Sequence, residues 1–222
     1  MKVFIIESPN SMDLFFNRRE ASSLEAICKL FGHQVYTFLT KSKRELREII
    51  KYISNIDKQH DDEETSDQPL CLHFSCHGNN DGLEFGKDFV EWDELYMILK
   101  DLFSITIEYE GDRILVFSSC GSSKQQFTKN IKKHFTFSDF YIPKYIFTTG
   151  GESISWDDAV LCWTVFYHQI DSIDLDDKEE VKIMLNKIYD LNVAEILYSR
   201  WNKKNKRYYN YSPKRSSKFR IK

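Results

Sequence analysis

The chain has 222 residues and a formal net charge of −3, and 41% of its residues are hydrophobic, a composition typical of one globular domain with a sizeable core. No run of 18 apolar residues occurs, and the N-terminal apolar run is too short for a signal peptide, which argues against membrane association and export. The five cysteines are odd in number and include no Cys-x-x-Cys pair, so we expect free thiols in a reducing cytoplasm.

In the first 56 residues, compact apolar runs alternate with segments whose apolar residues recur every three or four positions. These patterns predict a strand at 2–8, a helix at 22–31, a strand at 33–40 and a helix at 43–56. Ser42 suits the N-cap of the second helix, because its hydroxyl can accept a hydrogen bond from a free backbone amide. The polar segment SPNSMD, which follows the first strand, is typical of a turn.

The segment at 57–68 has six acidic residues, one lysine and no apolar periodicity, so we expect a solvated loop there. Beyond it the patterns predict a strand at 69–78, a hairpin at 81–92, a helix at 92–102, a strand at 112–120, a helix at 122–134 capped by Ser122 or Ser123, and a strand at 144–151. Two apolar helices are predicted next, at 155–170 and 179–192, followed by a helical turn that reaches Trp201. We expect four aromatic residues of the first of these helices to lie in its core: Trp156, Trp163, Phe166 and Tyr167.

The last 23 residues carry ten Lys or Arg and no Asp or Glu. Aromatic residues are interleaved with these cations, which favours binding of nucleic acid or of a protein partner, whereas a solvated terminus is the alternative. We therefore divide the chain into one domain at 1–200 and a basic C-terminal tail at 201–222.

The alternation of strands and helices predicts an α/β sandwich with a mostly parallel sheet. Parallel sheets bind ligands at the carboxyl ends of their strands, where the side chains of neighbouring strands meet. The strand LHFSC is followed directly by His77, and the strand ILVFSSC ends on Cys120. These two side chains are therefore expected at the same edge of the sheet.

A cysteine nucleophile needs a nearby base or cation to form its thiolate, and His77 can fill that role. The backbone amides of Gly78 and Cys120 are suited to an oxyanion hole. Side chains alternate along a strand, so Cys76 is expected to point away from this site. A zinc site formed by His73, Cys76, His77 and Cys120 is an alternative interpretation.

The pairs His77-Gly78 and Cys120-Gly121 resemble those of the caspase-like cysteine proteases, a superfamily that includes the caspases, the metacaspases and the CHAT branch. The flanking segments agree in order with that resemblance: RREASSLEAICKLFG, LEFGKDFVEW and IFTTGGESISWDDAVLCW. The resemblance implies a three-layer sandwich in which a mostly parallel sheet of about six strands is flanked by helices. It also implies a cysteine endopeptidase that cleaves a protein substrate through a Cys120–His77 dyad, with no metal or organic cofactor. Compact bacterial members imply, further, an effector that a partner protein activates, for example in antiviral defence.

Around the nucleophile the chain reads SSCGS at 118–122, which departs from both the caspase and the metacaspase patterns. The substrate preference therefore stays open at this point. Arg18 and Arg19 lie near the family's substrate-binding arginine and favour an acidic or small residue before the cleaved bond. Asp81 or Asp157 would instead receive a basic residue. A catalytically inactive caspase-like scaffold is the rival function.

Overall fold

A computed structural model provides the structure of the chain and describes residues 1–55, 68–103, 111–122, 126–134 and 142–213. The predicted acidic loop, apart from Gln68, and the end of the basic tail lie outside the described residues. The same holds for Ser123, one of the two predicted helix caps.

The described residues form the following strands: β1 (Lys2–Ser8), β2 (Gln34–Leu39), β3 (Leu70–Cys76), β4 (Gly82–Phe85), β5 (Asp88–Glu91), β6 (Arg113–Ser118), β7 (Tyr145–Thr149), β8 (Ile196–Asn202) and β9 (Arg207–Tyr211). They also form these helices: α1 (Ser11–Phe15), α2 (Glu20–Leu30), α3 (Lys43–Ile53), α4 (Trp92–Leu99), α5 (Gln126–His134), α6 (Trp156–Gln169) and α7 (Lys178–Tyr189). A 3₁₀ turn at Lys100–Phe103 extends α4.

The main sheet has seven strands in the order β2-β1-β3-β6-β7-β8-β9. The first five strands of this order run parallel, whereas β8 and β9 are antiparallel to their neighbours. The hairpin formed by β4 and β5 is a separate sheet. The predicted α/β architecture is confirmed, with seven strands in the main sheet where about six were expected.

Helices cover both faces of the sheet, which explains why its central strands are almost continuously apolar. All seven residues of β1 are buried, and its side chains alternate between two cores. Val3 and Ile5 pack with α2, α6 and α7, while Phe4 and Ile6 pack with α3, α4 and α5. Burying one such side chain stabilises the fold by about 1.5–3 kcal/mol, so β1 anchors both layers.

The segment predicted as a turn after β1 contains the short helix α1. Asn10 caps this helix by accepting hydrogen bonds from the backbone amides of Met12 and Asp13. Asp13 in turn accepts a hydrogen bond from the Asn10 amide at 3.0 Å. This capping box stabilises one helical turn in a segment whose composition favours turns.

The predicted helical turn up to Trp201 is wrong, because this segment is strand β8. Ile196 and Tyr198 face one core, while Trp201 packs on Tyr208 of β9 in the other, with ring centroids 5.1 Å apart. Aromatic residues with partners on both faces favour a strand. Residues 201–211, the first half of the predicted basic tail, are thus part of the sheet. Among the described residues, no helix combines the length and apolar character needed to cross a membrane.

Candidate active site

The carboxyl ends of β3 and β6 bring two chemically reactive side chains together. These strands are parallel neighbours, and Ser75 pairs with Ser118 in their register. His77 and Cys120 each follow two residues later, so both extend from the same edge of the sheet. Both line one small cavity of ≈ 80 Å³.

The loops that carry these residues pack backbone against backbone. Gly121 has a φ of 70°, and a Cβ added there would lie 2.6 Å from the carbonyl carbon of Asn79. A Cβ added at Gly78 would lie 3.3 Å from the carbonyl oxygen of Cys120. Only glycine allows this approach at position 121, because a larger residue would combine a left-handed backbone with a steric clash.

The end of β7 holds the cysteine loop in place. Thr149 Oγ1 donates a hydrogen bond to the Ser119 carbonyl at 2.7 Å, and Ser122 Oγ donates to the same carbonyl at 3.0 Å. Cys120 is half-buried, and its thiol lies 3.9 Å from the Ile154 carbonyl oxygen. The thiol is therefore accessible, while the backbone that carries it is fixed on both sides.

Asp13 is a third member of the site, which the sequence analysis missed. Its Oδ2 lies 2.6 Å from Nε2 of His77, and its Oδ1 accepts a hydrogen bond from Nε1 of Trp156 at 3.2 Å. The side-chain nitrogen of Asn10 also lies 3.0 Å from His77 Nε2. The capping box of α1 thus directs both Asn10 and Asp13 toward the histidine ring. The spacing Asn-x-x-Asp at the end of the first parallel strand was the available signal for this carboxylate.

Asp13 is ionised at neutral pH. Burial by itself would raise its pKa, but the hydrogen bonds from His77, the Asn10 amide and Trp156 outweigh burial and hold the pKa below 3.8. A carboxylate can only accept hydrogen bonds, so the 2.6 Å contact with Asp13 assigns a proton to Nε2 of His77, and the Asn10 side-chain nitrogen, which is itself a donor, then makes no hydrogen bond to Nε2. In the neutral imidazole, Nδ1 is then the nitrogen that can accept a proton.

Trp156 was expected in the core of its helix and instead borders the site. It is half-exposed, and its ring meets the His77 ring edge to face at a centroid distance of 5.6 Å. Trp156 is the first residue of α6, so it lies at the end of the helix and not among its buried residues. The other three aromatic residues predicted there are buried, as expected: Trp163, Phe166 and Tyr167.

A surface groove of ≈ 900 Å³ adjoins the cavity and shares Ser155 and Trp156 with it. Three of the predicted substrate-binding residues line this groove: Arg18, Arg19 and Asp157. The structure therefore brings them near the predicted catalytic residues.

Two of these side chains, those of Arg18 and Arg19, have partners within the chain. Arg19 Nε donates a hydrogen bond to Oε2 of the fully buried Glu7 at 2.8 Å. The Arg18 guanidinium lies 5.0 Å from the centre of the Phe16 ring. Asp81 lines neither the cavity nor the groove, and its carbonyl accepts a hydrogen bond from the Trp92 amide beside the β4–β5 hairpin.

The four residues of the alternative zinc site do not form a set of metal ligands, although Cys76, His77 and Cys120 all border the small cavity. His73 Nε2 lies 2.9 Å from Glu20, and its Nδ1 lies 2.8 Å from the Tyr167 hydroxyl. Cys76 packs in the core on the opposite face of the sheet, as alternation predicts, and burial raises the pKa of its thiol. In the described part of the chain, no group of three or more His, Cys, Asp or Glu side chains could hold a metal ion.

The sheet order and its flanking helices define a caspase-like fold. The structure is similar to the crystal structure of caspase-1 from Spodoptera frugiperda, with a TM-score of 0.53 and 10% sequence identity. The similarity covers 85% of this chain and 74% of that chain. At the level of sequence, no family model matches, and no curated protein is significantly similar. At 10% identity the structural similarity establishes the fold, and the activity is argued from the site itself.

Proposed function

We propose that the chain is a cysteine endopeptidase in which Cys120 is the nucleophile and His77 is its base. The observation that supports this proposal most directly is that both side chains line one cavity at the ends of adjacent parallel strands of a caspase-like sheet. The half-buried thiol and the ionised Asp13 beside the imidazole suit that chemistry.

In the proposed reaction, Nδ1 of His77 takes the thiol proton, and the Cys120 thiolate attacks the carbonyl carbon of the scissile bond. The Gly78 and Cys120 amides donate hydrogen bonds to the resulting oxyanion. As the carbon–nitrogen bond breaks, His77 gives its proton to the leaving amine, and a thioester to Cys120 remains. His77 then deprotonates a water molecule, which attacks the thioester, releases the new carboxylate and restores the thiol.

Asp13 acts in this scheme as a positioning residue. Its carboxylate fixes the His77 ring through Nε2 and stabilises the positive charge that the ring carries after it has taken the thiol proton. Trp156 limits rotation of the ring from the side by its edge-to-face contact. The capping box of α1 holds the carboxylate itself, so the proton acceptor is oriented before substrate binds.

Substitution of the nucleophile tests the proposal. Cys120→Ala should abolish cleavage of a peptide library, and Cys76→Ala should retain most of the activity, because Cys76 packs in the opposite core. Iodoacetamide should label wild-type Cys120 stoichiometrically and inactivate the protein. Equal cleavage rates for wild type and Cys120→Ala would reject the proposal. A biological activity that survives both Cys120→Ala and His77→Ala would favour the scaffold instead.

We propose further that the chain is a compact bacterial-type effector that a protein partner activates in the cytoplasm. The resemblance to such proteases supports this assignment, and antiviral defence is the setting it implies. Purified protein should then cleave slowly until the cognate partner is added, with a lag that depends on the partner's concentration. Full activity of the purified chain alone would remove the need for an activator.

Binding of nucleic acid is a second candidate function, supported by the turn between β8 and β9. Lys203, Lys204 and Arg207 are exposed there, on a rigid hairpin of the sheet. Affinity for single-stranded DNA or RNA should fall steeply with salt and drop further in the double variant Lys203→Gln/Lys204→Gln. Binding that is indifferent to both changes would remove this candidate.

A further inference from the structure

A buried carboxylate forms the floor of the cavity that Cys120 and His77 line. Glu20, the first residue of α2, lines this cavity and is 0% exposed. Its Oε2 accepts hydrogen bonds from the hydroxyls of Ser75 and Ser118, both at 2.8 Å. These serines lie two residues before His77 and Cys120, so Glu20 sits directly beneath the two functional strand ends.

Glu20 is bound by serine hydroxyls and by one histidine ring, and by no lysine or arginine in the described part of the chain. Its Oε1 lies 2.9 Å from Nε2 of His73, whose Nδ1 lies 2.8 Å from the Tyr167 hydroxyl. Burial raises the pKa of Tyr167, so its hydroxyl keeps its proton, and the Cys71 thiol lies 3.5 Å from the same hydroxyl. In the described part of the chain, His73 is the only basic side chain that contacts Glu20, and no lysine or arginine forms an ion pair with it.

Glu7 shows the contrasting arrangement in the same protein. It is also 0% exposed, and the guanidinium of Arg19 binds it at 2.8 Å. Arg19 directly precedes Glu20 in sequence, but its guanidinium forms an ion pair with Glu7. A buried carboxylate that has no permanently charged lysine or arginine partner is costly, and a cation supplied by a ligand offsets that cost.

The cavity offers polar and apolar surface beside Glu20 and room for the charged end of such a side chain. Its ≈ 80 Å³ correspond to two or three groups of the size of a water molecule, at about 30 Å³ each. The small side chains of Ser118 and Ala159 leave this space open near Glu20, while Ile154 and Trp156 supply apolar surface. A lysine or arginine side chain can lay its methylene groups along this apolar wall and place its charged end at the carboxylate.

We propose that Glu20 determines specificity by binding the cationic side chain, lysine or arginine, of the residue that precedes the scissile bond. This inference rests on the proposed protease function. It reverses the preference for an acidic or small residue that Arg18 and Arg19 favoured in the sequence, because Arg19 is bound to Glu7 and both arginines line the neighbouring groove.

The test compares fluorogenic peptides that differ only in the residue before the cleaved bond: lysine, arginine, aspartate or alanine. The wild-type protein should cleave the lysine and arginine peptides fastest. Glu20→Gln keeps the shape of the side chain and removes its charge, so kcat/KM for the cationic peptides should fall about 10- to 100-fold, with little change for alanine. Glu7→Gln removes a buried charge outside the cavity and should leave the order of the four peptides unchanged.

Preference of the wild type for aspartate, or an unchanged lysine preference in Glu20→Gln, would overturn the proposal. If Glu20→Gln does not fold, the wild-type order of peptides decides alone. If the wild type cleaves none of the peptides, either alone or with a cell extract that supplies an activating partner, while its Cys120 reacts with iodoacetamide, the proposed protease function fails. The cavity is then judged by protection: butylammonium, and not butyrate, should slow alkylation of Cys120, and equal rates with both would reject the cation site.

Discussion

The contact between Asp13 and His77 joins the loop after β1 to the end of β3. Neither residue is near the other in sequence, and each is held by its own backbone element. The pKa of Asp13 stays below 3.8 because the hydrogen bonds from His77, the Asn10 amide and Trp156 outweigh the effect of burial. A single side chain therefore connects the stability of α1 to the orientation of the proposed base.

Asp13→Asn should lower kcat about 10- to 100-fold with little change in KM, because the ring loses its orienting carboxylate and the substrate groove is untouched. The exposed Asp190→Asn, at the end of α7, is the matched control and should behave like the wild type. A change in KM alone would argue that Asp13 binds substrate.

The same substitution should have a pH-dependent effect on stability. A carboxyl whose folded pKa is lowered stabilises the fold above its unfolded pKa, and this contribution is lost as the pH falls through the folded value. The difference in free energy of unfolding between wild type and Asp13→Asn should therefore be present at pH 7 and vanish as the pH drops below 3.8. Urea unfolding across this range measures it, and a difference that grows on acidification would contradict the assigned ionisation.

At the level of elements, α3 shows a sequence signal that the structure bears out. Ser42 Oγ accepts a hydrogen bond from the Glu45 amide at 3.2 Å, and Glu45 accepts one from the Lys41 amide at 2.6 Å. The two bonds satisfy backbone amides that have no partner within the helix. The helix lies on the sheet face away from Glu20, so its cap affects stability alone.

Ser42→Ala should cost about 1 kcal/mol of unfolding free energy and leave kcat/KM unchanged. Ser54→Ala, at the C-terminal end of the same helix, removes a hydroxyl whose hydrogen bond to the Lys51 carbonyl is exposed to solvent, and it should change stability by less than about 0.5 kcal/mol. Denaturant unfolding of the two variants gives the comparison. Equal losses would show that the cap contributes nothing specific.

The β8–β9 hairpin extends the sheet in a segment whose charge favours a tail. Trp201→Ala should cost about 3–5 kcal/mol, because a 5% exposed ring packed on Tyr208 and the core leaves a large cavity. Tyr209→Ala alters a half-buried ring of the same hairpin that belongs to neither core and contacts Arg207, and it should cost far less. If Trp201→Ala destabilises the protein no more than Tyr209→Ala does, the hairpin does not unfold cooperatively with the rest of the domain.

At the scale of the whole molecule, the fold separates one cysteine from the other four. Burial raises the pKa of Cys28 and Cys71 to about 12 and that of Cys162 to about 11, and it raises that of Cys76 as well. Cys120 alone is half-buried. The thiolate is the reactive form of cysteine, so burial in the two cores lowers the reactivity of the other four thiols but not that of Cys120 at the strand end.

Native protein at pH 7 should therefore react rapidly with one equivalent of an aromatic disulfide reagent, and Cys120→Ala should remove that phase. The remaining four thiols should react only after denaturation in guanidinium chloride. Two or more fast equivalents in the native wild type would show that the buried cysteines open to solvent.

The sequence by itself determined the alternation of strands and helices, the Ser42 cap and the position of His77 and Cys120 at strand ends. These features are local: apolar periodicity and cap chemistry act within a few residues, and parallel strands bring their carboxyl ends to one edge. Only the tertiary structure decided which side chains contact each other. The pairing of Asp13 with His77, the burial of Glu20 beneath Ser75 and Ser118, and the place of Trp201 in the sheet depend on contacts between residues far apart in the chain. Such contacts arise only when all the layers pack together, because the spacing of residues along the chain does not encode which side chains meet in space.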